Sequence, residues 1–162
     1  MFTEQLSVRD LFEIEKAGNP GDVEKLLDKY IHDNVIDGPV LHVSSQYGYV
    51  KIIELLLKKG FDVDAIHEGM TPLSYAVFAN NVDVAQLLLK NGADIEKSVL
   101  RDGKSILSLI FSSNDYVEMS IVLIDAFCRK GYVGKVKDEL PVSCPSNTYA
   151  SITRSVPNMY AS

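Results

Sequence analysis

The side chains of this sequence that could do chemistry are three histidines, two pairs of carboxylates and one pair of serines. Asp62 with Asp64, and Asp94 with Glu96, have the make-up of a general acid and its base. The two pairs stand 32 positions apart at corresponding places, whereas catalysis needs such a pair once. Their recurrence therefore reads as architecture, with the acids at solvated hairpin tips. Asp64 and His67 have a DxxH spacing and His32 lies beside Asp33, but two ligands without a third do not hold a metal. Ser44-Ser45 beside His42 is the nearest approach to an activated nucleophile, and helical packing explains it more simply. The chain has no GxSxG, no phosphate-binding Gly-rich loop and no GxGxxG. No catalytic residue, metal, cofactor or small-molecule substrate is expected.

The composition narrows the choice of partner. A chain of 162 residues, 46% of them hydrophobic, is long enough to bury a core and is not composed like a disordered one. Its 16 Lys and Arg against 22 Asp and Glu give a formal charge of −6, which repels nucleic acid and anionic membranes. A protein partner with a basic surface is expected instead. Cys128 and Cys144 have neither a CxxC nor a clustered spacing, which fits an intracellular chain with no disulfide framework. The acidic start, with Glu4, Asp10, Glu13 and Glu15, is unlike a signal peptide. The apolar stretches near Ile106–Phe111 and Ile121–Phe127 are too short to span a bilayer. Lys137-Asp138-Glu139-Leu140 spells a retention signal that is read only at a C-terminus, and here it lies 22 residues short of the end. A cytoplasmic location is expected, with nuclear entry left open.

The elements that position these residues are clearest between Gly69 and Glu96, GMTPLSYAVFANNVDVAQLLLKNGADIE. Thr71 suits a helix N-cap and Pro72 the first helical turn. Leu73, Ala76 and Val77 then form one apolar face, Asn80-Asn81 interrupts it, and Val84, Leu87 and Leu88 begin a second helix. Gly92 closes that helix in the left-handed conformation. The unit repeats: Leu41 and Leu73 are 32 positions apart, Gly60 and Gly92 also 32, Leu73 and Leu107 34.

The residues carry a family likeness as well as a period. TPLSYA at Thr71–Ala76, LLLKNGADIE at Leu87–Glu96 and LLLKKGFDVD at Leu55–Asp64 resemble the ankyrin-repeat pattern, TPLHxAxxxG followed by xLLLxxGAxxN, over roughly Leu11 to Gly131. The resemblance implies an all-α ankyrin-repeat solenoid of helix-turn-helix units joined by short β-hairpin-like loops. Residues 1–140 would form one domain, with a degenerate first unit at 7–37 and repeats at 38–68, 69–101 and 102–131. In the first unit Ser7 and Asp10 resemble a capping box, Leu11, Phe12 and Ile14 make one apolar face, and Val23, Leu26, Leu27 and Tyr30 another. The last helix would be about one turn longer than its counterpart, with Phe127 and Cys128 sealing the end of the stack. Residues 141–162, with five Ser, two Thr, three Pro and two Asn, read as a polar, flexible tail. Tyr149, Ile152, Val156 and Met159 in that tail nevertheless form a stripe at helical spacing interrupted by Pro157, so a docked stripe is the rival expectation.

The resemblance also implies where function sits. His42 falls in the TPLH slot, where the family's His bonds backbone. Asp64 and Glu96 fall where the family often has an Asn that can be hydroxylated, so that modification is not expected here. First helices and hairpin tips line a concave groove in such stacks, which assigns Val43, Gln46, Tyr47, Tyr75 and Phe78 to the partner-facing side. Tyr47 and Tyr75 are the preferred anchors, since Tyr combines rigid area with a polar tip. The tips would add Asp62, Asp64, His67, Glu68, Asp94, Glu96, Arg101 and Asp102, with Lys97 and Lys104 as further basic relief. The implied role is a non-catalytic protein-protein interaction module, an inhibitor, immunity-type or decoy protein that occludes its partner. A two-partner adaptor using groove and tail, or a subunit completing an enzyme site, are the alternatives.

Overall fold

The computed structural model describes residues 8–16, 21, 23–25, 27–28, 39–111 and 114–130. Ser7, Leu26, Tyr30, His32, Cys144 and the stripe from Tyr149 to Met159 lie outside the described residues. Seven helices are described with bounds: α1 (Val8–Lys16), α2 (Val40–Tyr47), α3 (Val50–Lys58), α4 (Pro72–Phe78), α5 (Val82–Lys90), α6 (Ile106–Ile110) and α7 (Val117–Arg129), the last preceded by a 3₁₀ turn at Asn114–Tyr116. Residues 21, 23–25 and 27–28 are helical too. No strand occurs among the described residues, only isolated antiparallel bridges at His67–Met70 and Val99–Ser105.

Local sequence explains the helix ends. Thr71 takes an extended backbone, its Oγ1 accepts from the Ser74 N–H at 3.3 Å, and Pro72 follows at the first turn. Ser105 caps α6 by accepting from the Leu107 N–H. Gly48 ends α2 at φ 78°, a conformation that favours glycine, and a Cβ there would press on Asn81 Oδ1 at 3.3 Å. Gly92 has φ 94°, the left-handed geometry expected after α5. α7 has 13 residues against nine in α5, one extra turn, and Phe127 on that turn is buried.

The helices stack in two layers. α2 packs on α4 and α4 on α6; α3 packs on α5 and α5 on α7; α1 lies against α3. Leu41, Leu73 and Leu107, which carry the repeat register, are all buried in one continuous apolar cluster running from Leu11 to Phe127. One expected core residue departs. Phe12 is 41% exposed, because Leu11 and Ile14 take the buried side of α1 and leave the neighbouring ring beside it. That ring sits 6.4 Å from Tyr49, with the Lys16 ammonium 4.3 Å from its centre.

Candidate functional site

The groove follows from the register of the first helices. Leu41, Leu73 and Leu107 point into the core, and residues two positions on (Val43, Tyr75, Leu109) lie at its edge, half-buried. Residues five on (Gln46, Phe78) are exposed. Gln46, Tyr75, Phe78, Ser108 and Leu109, drawn from three successive repeats, line one hollow of about 620 Å³. Met70 from the hairpin, and Leu100, Arg101, Asp102 and Lys104 from the following loop, close its other side. Phe78 is 60% exposed, a large ring facing water in the lining of that hollow. Tyr75 is braced from behind by His42, edge-on at 5.3 Å.

The loops that form the rim are tied together one repeat apart. Asp64 Oδ1 accepts from the Asp94 N–H at 2.8 Å and Asp64 Oδ2 faces Lys97 Nζ at 3.4 Å. Arg101 pairs with Glu68, and Lys104 with Asp102 at 2.7 Å. The Tyr75 hydroxyl, then the Glu68 carboxylate, hold the Arg101 guanidinium further toward its charged form. Asp62 and Asp94 turn their own loops, accepting from the Asp64 and Glu96 N–H groups at 3.0 Å each. Asp64 is thus an inter-repeat tie, its side chain only 14% exposed, and not the solvated tip expected of it. Glu68 and Gly69, with φ of 49° and 78°, make the two-residue hairpin turn that places Glu68 against Arg101.

The other expected partner-facing residues divide. Gln46, Tyr75, Phe78, Arg101 and Asp102 come together in the groove. Val43 packs partly against the core. Tyr47 is 53% exposed but stacks on Tyr49 at 5.8 Å, outside the groove lining. His67 lies behind the groove wall, its ring 5.5 Å from that of His42. Asp62 and Glu96 are exposed on the hairpins. Met70, Leu100, Ser108 and Leu109 were not read from the sequence as groove residues. The signal for Leu109 was present, since it stands 34 positions after Tyr75 just as Leu107 does after Leu73.

Neither histidine chemistry nor a nucleophile emerges. His42 is 4% exposed and its Nε2 lies 2.9 Å from the Ala65 carbonyl; burial holds its pKa below the ordinary 6.5. Its Nδ1 has no hydrogen-bond partner among the described residues. The corresponding pair one repeat on, Thr71 and Ser74, is joined through Oγ1, but the Thr71 slot is here Pro39, which has neither a hydroxyl nor an N–H. Ser45 donates to the Leu41 carbonyl and Ser44 Oγ is buried with no partner among the described residues, so both serines belong to the helix packing. Burial raises the Cys128 thiol above its usual range, which makes it a poor nucleophile. Among the described residues no three His, Cys, Asp or Glu side chains gather as metal ligands, and no helix is long and apolar enough to cross a membrane.

A second hollow, about 730 Å³, lies on the other layer between α5 and α7, where Leu89, Ile121 and Val122 are flanked by Lys90, Asp125 and Arg129. It is lined by no aromatic ring, whereas the groove on the first layer holds the exposed Phe78.

The pattern for ankyrin repeats, in three copies, matches residues 12–99, more than half of the chain. The chain belongs to the ankyrin-repeat family. The fourth stacked unit, α6 with α7, lies beyond the matched residues. An ankyrin repeat protein of fowlpox virus (strain NVSL) is 31% identical over 87 residues, covering 52% of this chain and 26% of the relative. The mouse B-cell lymphoma 3 protein homolog is 36% identical over 70 residues, covering 42% and 16%. The mouse ankyrin repeat and SAM domain-containing protein 6 is 27% identical over 128 residues, covering 75% and 14%. The ankyrin-repeat chain therefore spans about a quarter or less of these relatives' length. The repeats make it a protein-protein interaction module of a generally non-catalytic family.

Proposed function

We propose that this ankyrin-repeat stack binds a partner protein in the groove around Phe78 and Tyr75, and acts by covering the partner's working surface, as an inhibitor or decoy does. The observation that carries the reading is Phe78: an exposed ring beside a half-buried tyrosine, in a hollow built from three repeats. Aromatic anchors in the centre of a contact carry most of its binding energy. The rim supports a partner that is less basic than the bare sequence suggests. Its six acids meet three bases, and Asp64, Glu68 and Asp102 each have a cation beside them. The acidic bias that remains sits at Asp62, Asp94 and Glu96, away from the groove lining.

The test is affinity capture of the partner with the wild-type chain and with Phe78→Asp, alongside thermal unfolding of both. The expected result is loss of capture by at least about 10-fold with little change in unfolding temperature, because Phe78 contributes little to the core. Undiminished capture by a folded Phe78→Asp chain would remove the groove from the reading.

A further inference from the structure

We propose that the groove takes a polyproline-II segment of the partner, uncharged and carrying proline or an aliphatic side chain at every third position; the proposal rests on the groove reading above and specifies its ligand. The first argument is spacing. Tyr75 and Leu109 hold equivalent places on α4 and α6, which pack directly together. Packed helix axes lie about 8–10 Å apart, so the two apolar contacts recur at about that interval across the stack. A polyproline-II chain has three residues per turn and rises about 3.1 Å per residue, so its residues i and i+3 share a face about 9 Å apart. A strand brings same-face residues only about 7 Å apart, and an α-helix about 5–6 Å. Of the three backbones, polyproline II alone places successive same-face residues one per repeat.

The lining chemistry agrees. Tyr75 and Phe78 offer the ring faces and edges against which such segments dock. A polyproline-II backbone makes no internal hydrogen bonds and brings bare carbonyls that need donors. Gln46, Arg101 and Lys104 supply amide, guanidinium and ammonium N–H groups on the groove walls. Charge argues for a neutral ligand, since Arg101 is matched by Glu68 and Lys104 by Asp102. A charged ligand side chain would find both cations of the lining already paired, and exposed pairs of this kind are worth little to break or make.

The experiment uses the full chain and synthetic fluorescent peptides: a proline-rich frame with Leu at every third position, the same residues with the Leu spacing scrambled, an amphipathic helical peptide and a lysine-rich one. Binding is read by anisotropy for wild type, Phe78→Ala and Tyr75→Phe. The every-third peptide is expected to bind about 10-fold tighter than its scrambled twin and to lose about 10-fold on Phe78→Ala. Its affinity should change by less than about 3-fold between about 50 and about 500 mM salt. Equal binding of the scrambled twin, or preference for the helical or lysine-rich peptide, overturns the polyproline-II ligand while leaving the groove in place wherever Phe78→Ala still abolishes binding. Binding of the preferred peptide that ignores both substitutions overturns the groove itself.

Discussion

His42 sits where two roles meet, bonded through Nε2 to the hairpin that carries the rim and packed edge-on behind the groove tyrosine. Its surroundings favour the neutral ring. Burial pushes its pKa down, the neighbouring His67 adds to that, and only the Ala65 and Met70 carbonyls pull the other way. The unfolded chain presents a histidine of ordinary pKa near 6.5. As pH falls through that value the unfolded state takes up the proton first, so stability is complete above it and declines until the folded His42 also protonates. The slope for one such group cannot exceed about 1.4 kcal/mol per pH unit. Urea unfolding at about pH 7.5 and about pH 5.5 should therefore show a loss that His42→Gln removes, since Gln keeps a donor near Ala65 but does not titrate. An equal loss in the variant would assign the acid sensitivity elsewhere.

At the level of helices and loops, some side chains tie one repeat to the next and others bond only within their own helix. The Asn81 amide, at the start of α5, donates to the Ser45 and Gln46 carbonyls at the end of α2, 2.9 and 2.8 Å away. The Asn91 amide donates to Leu87 of its own helix. Asn81→Ala should cost about 1–2 kcal/mol of unfolding free energy and Asn91→Ala less than about 0.5, measured by urea denaturation. Comparable costs would mean that the stack is held by its apolar faces alone. Such ties explain what could be read from the sequence and what could not. Thr71-Pro72 and Gly92 declare helix ends through their own backbone chemistry, so they were legible one residue at a time. Asp64 bonding the Asp94 N–H, or Arg101 meeting Glu68, depends on loops some 30 positions apart lying side by side, which a period announces but whose atom-level pairing it does not. Tyr47 illustrates the same limit. Its type suggested an anchor; its ring stacks on Tyr49, two residues on, and it is not among the residues that line the groove.

Across the whole molecule, stability should follow the order of the stack. Each unit buries its apolar face only against its neighbours, so the free energy of a repeat protein is close to a sum of unit and interface terms. Leu73 is fully buried on a helix packed by helices of both neighbouring repeats, whereas among the helices with bounds α1, which carries Leu11, packs chiefly on α3. Leu73→Ala should cost about 2–5 kcal/mol and loosen the chain as a whole, because losing the middle unit leaves the flanking ones without a second interface. Leu11→Ala removes the same number of atoms, but opening of α1 leaves α2 to α7 still stacked. Hydrogen exchange separates the two cases residue by residue. In Leu11→Ala the amides of α1 and α3 should exchange faster while those of α5 and α7 keep their protection; in Leu73→Ala all four helices should lose protection together. The groove at Phe78 lies within the part that Leu11→Ala leaves intact, so that variant should also keep its partner. Uniform loss of protection in both variants would show that the units fold as one indivisible core and not as a stack.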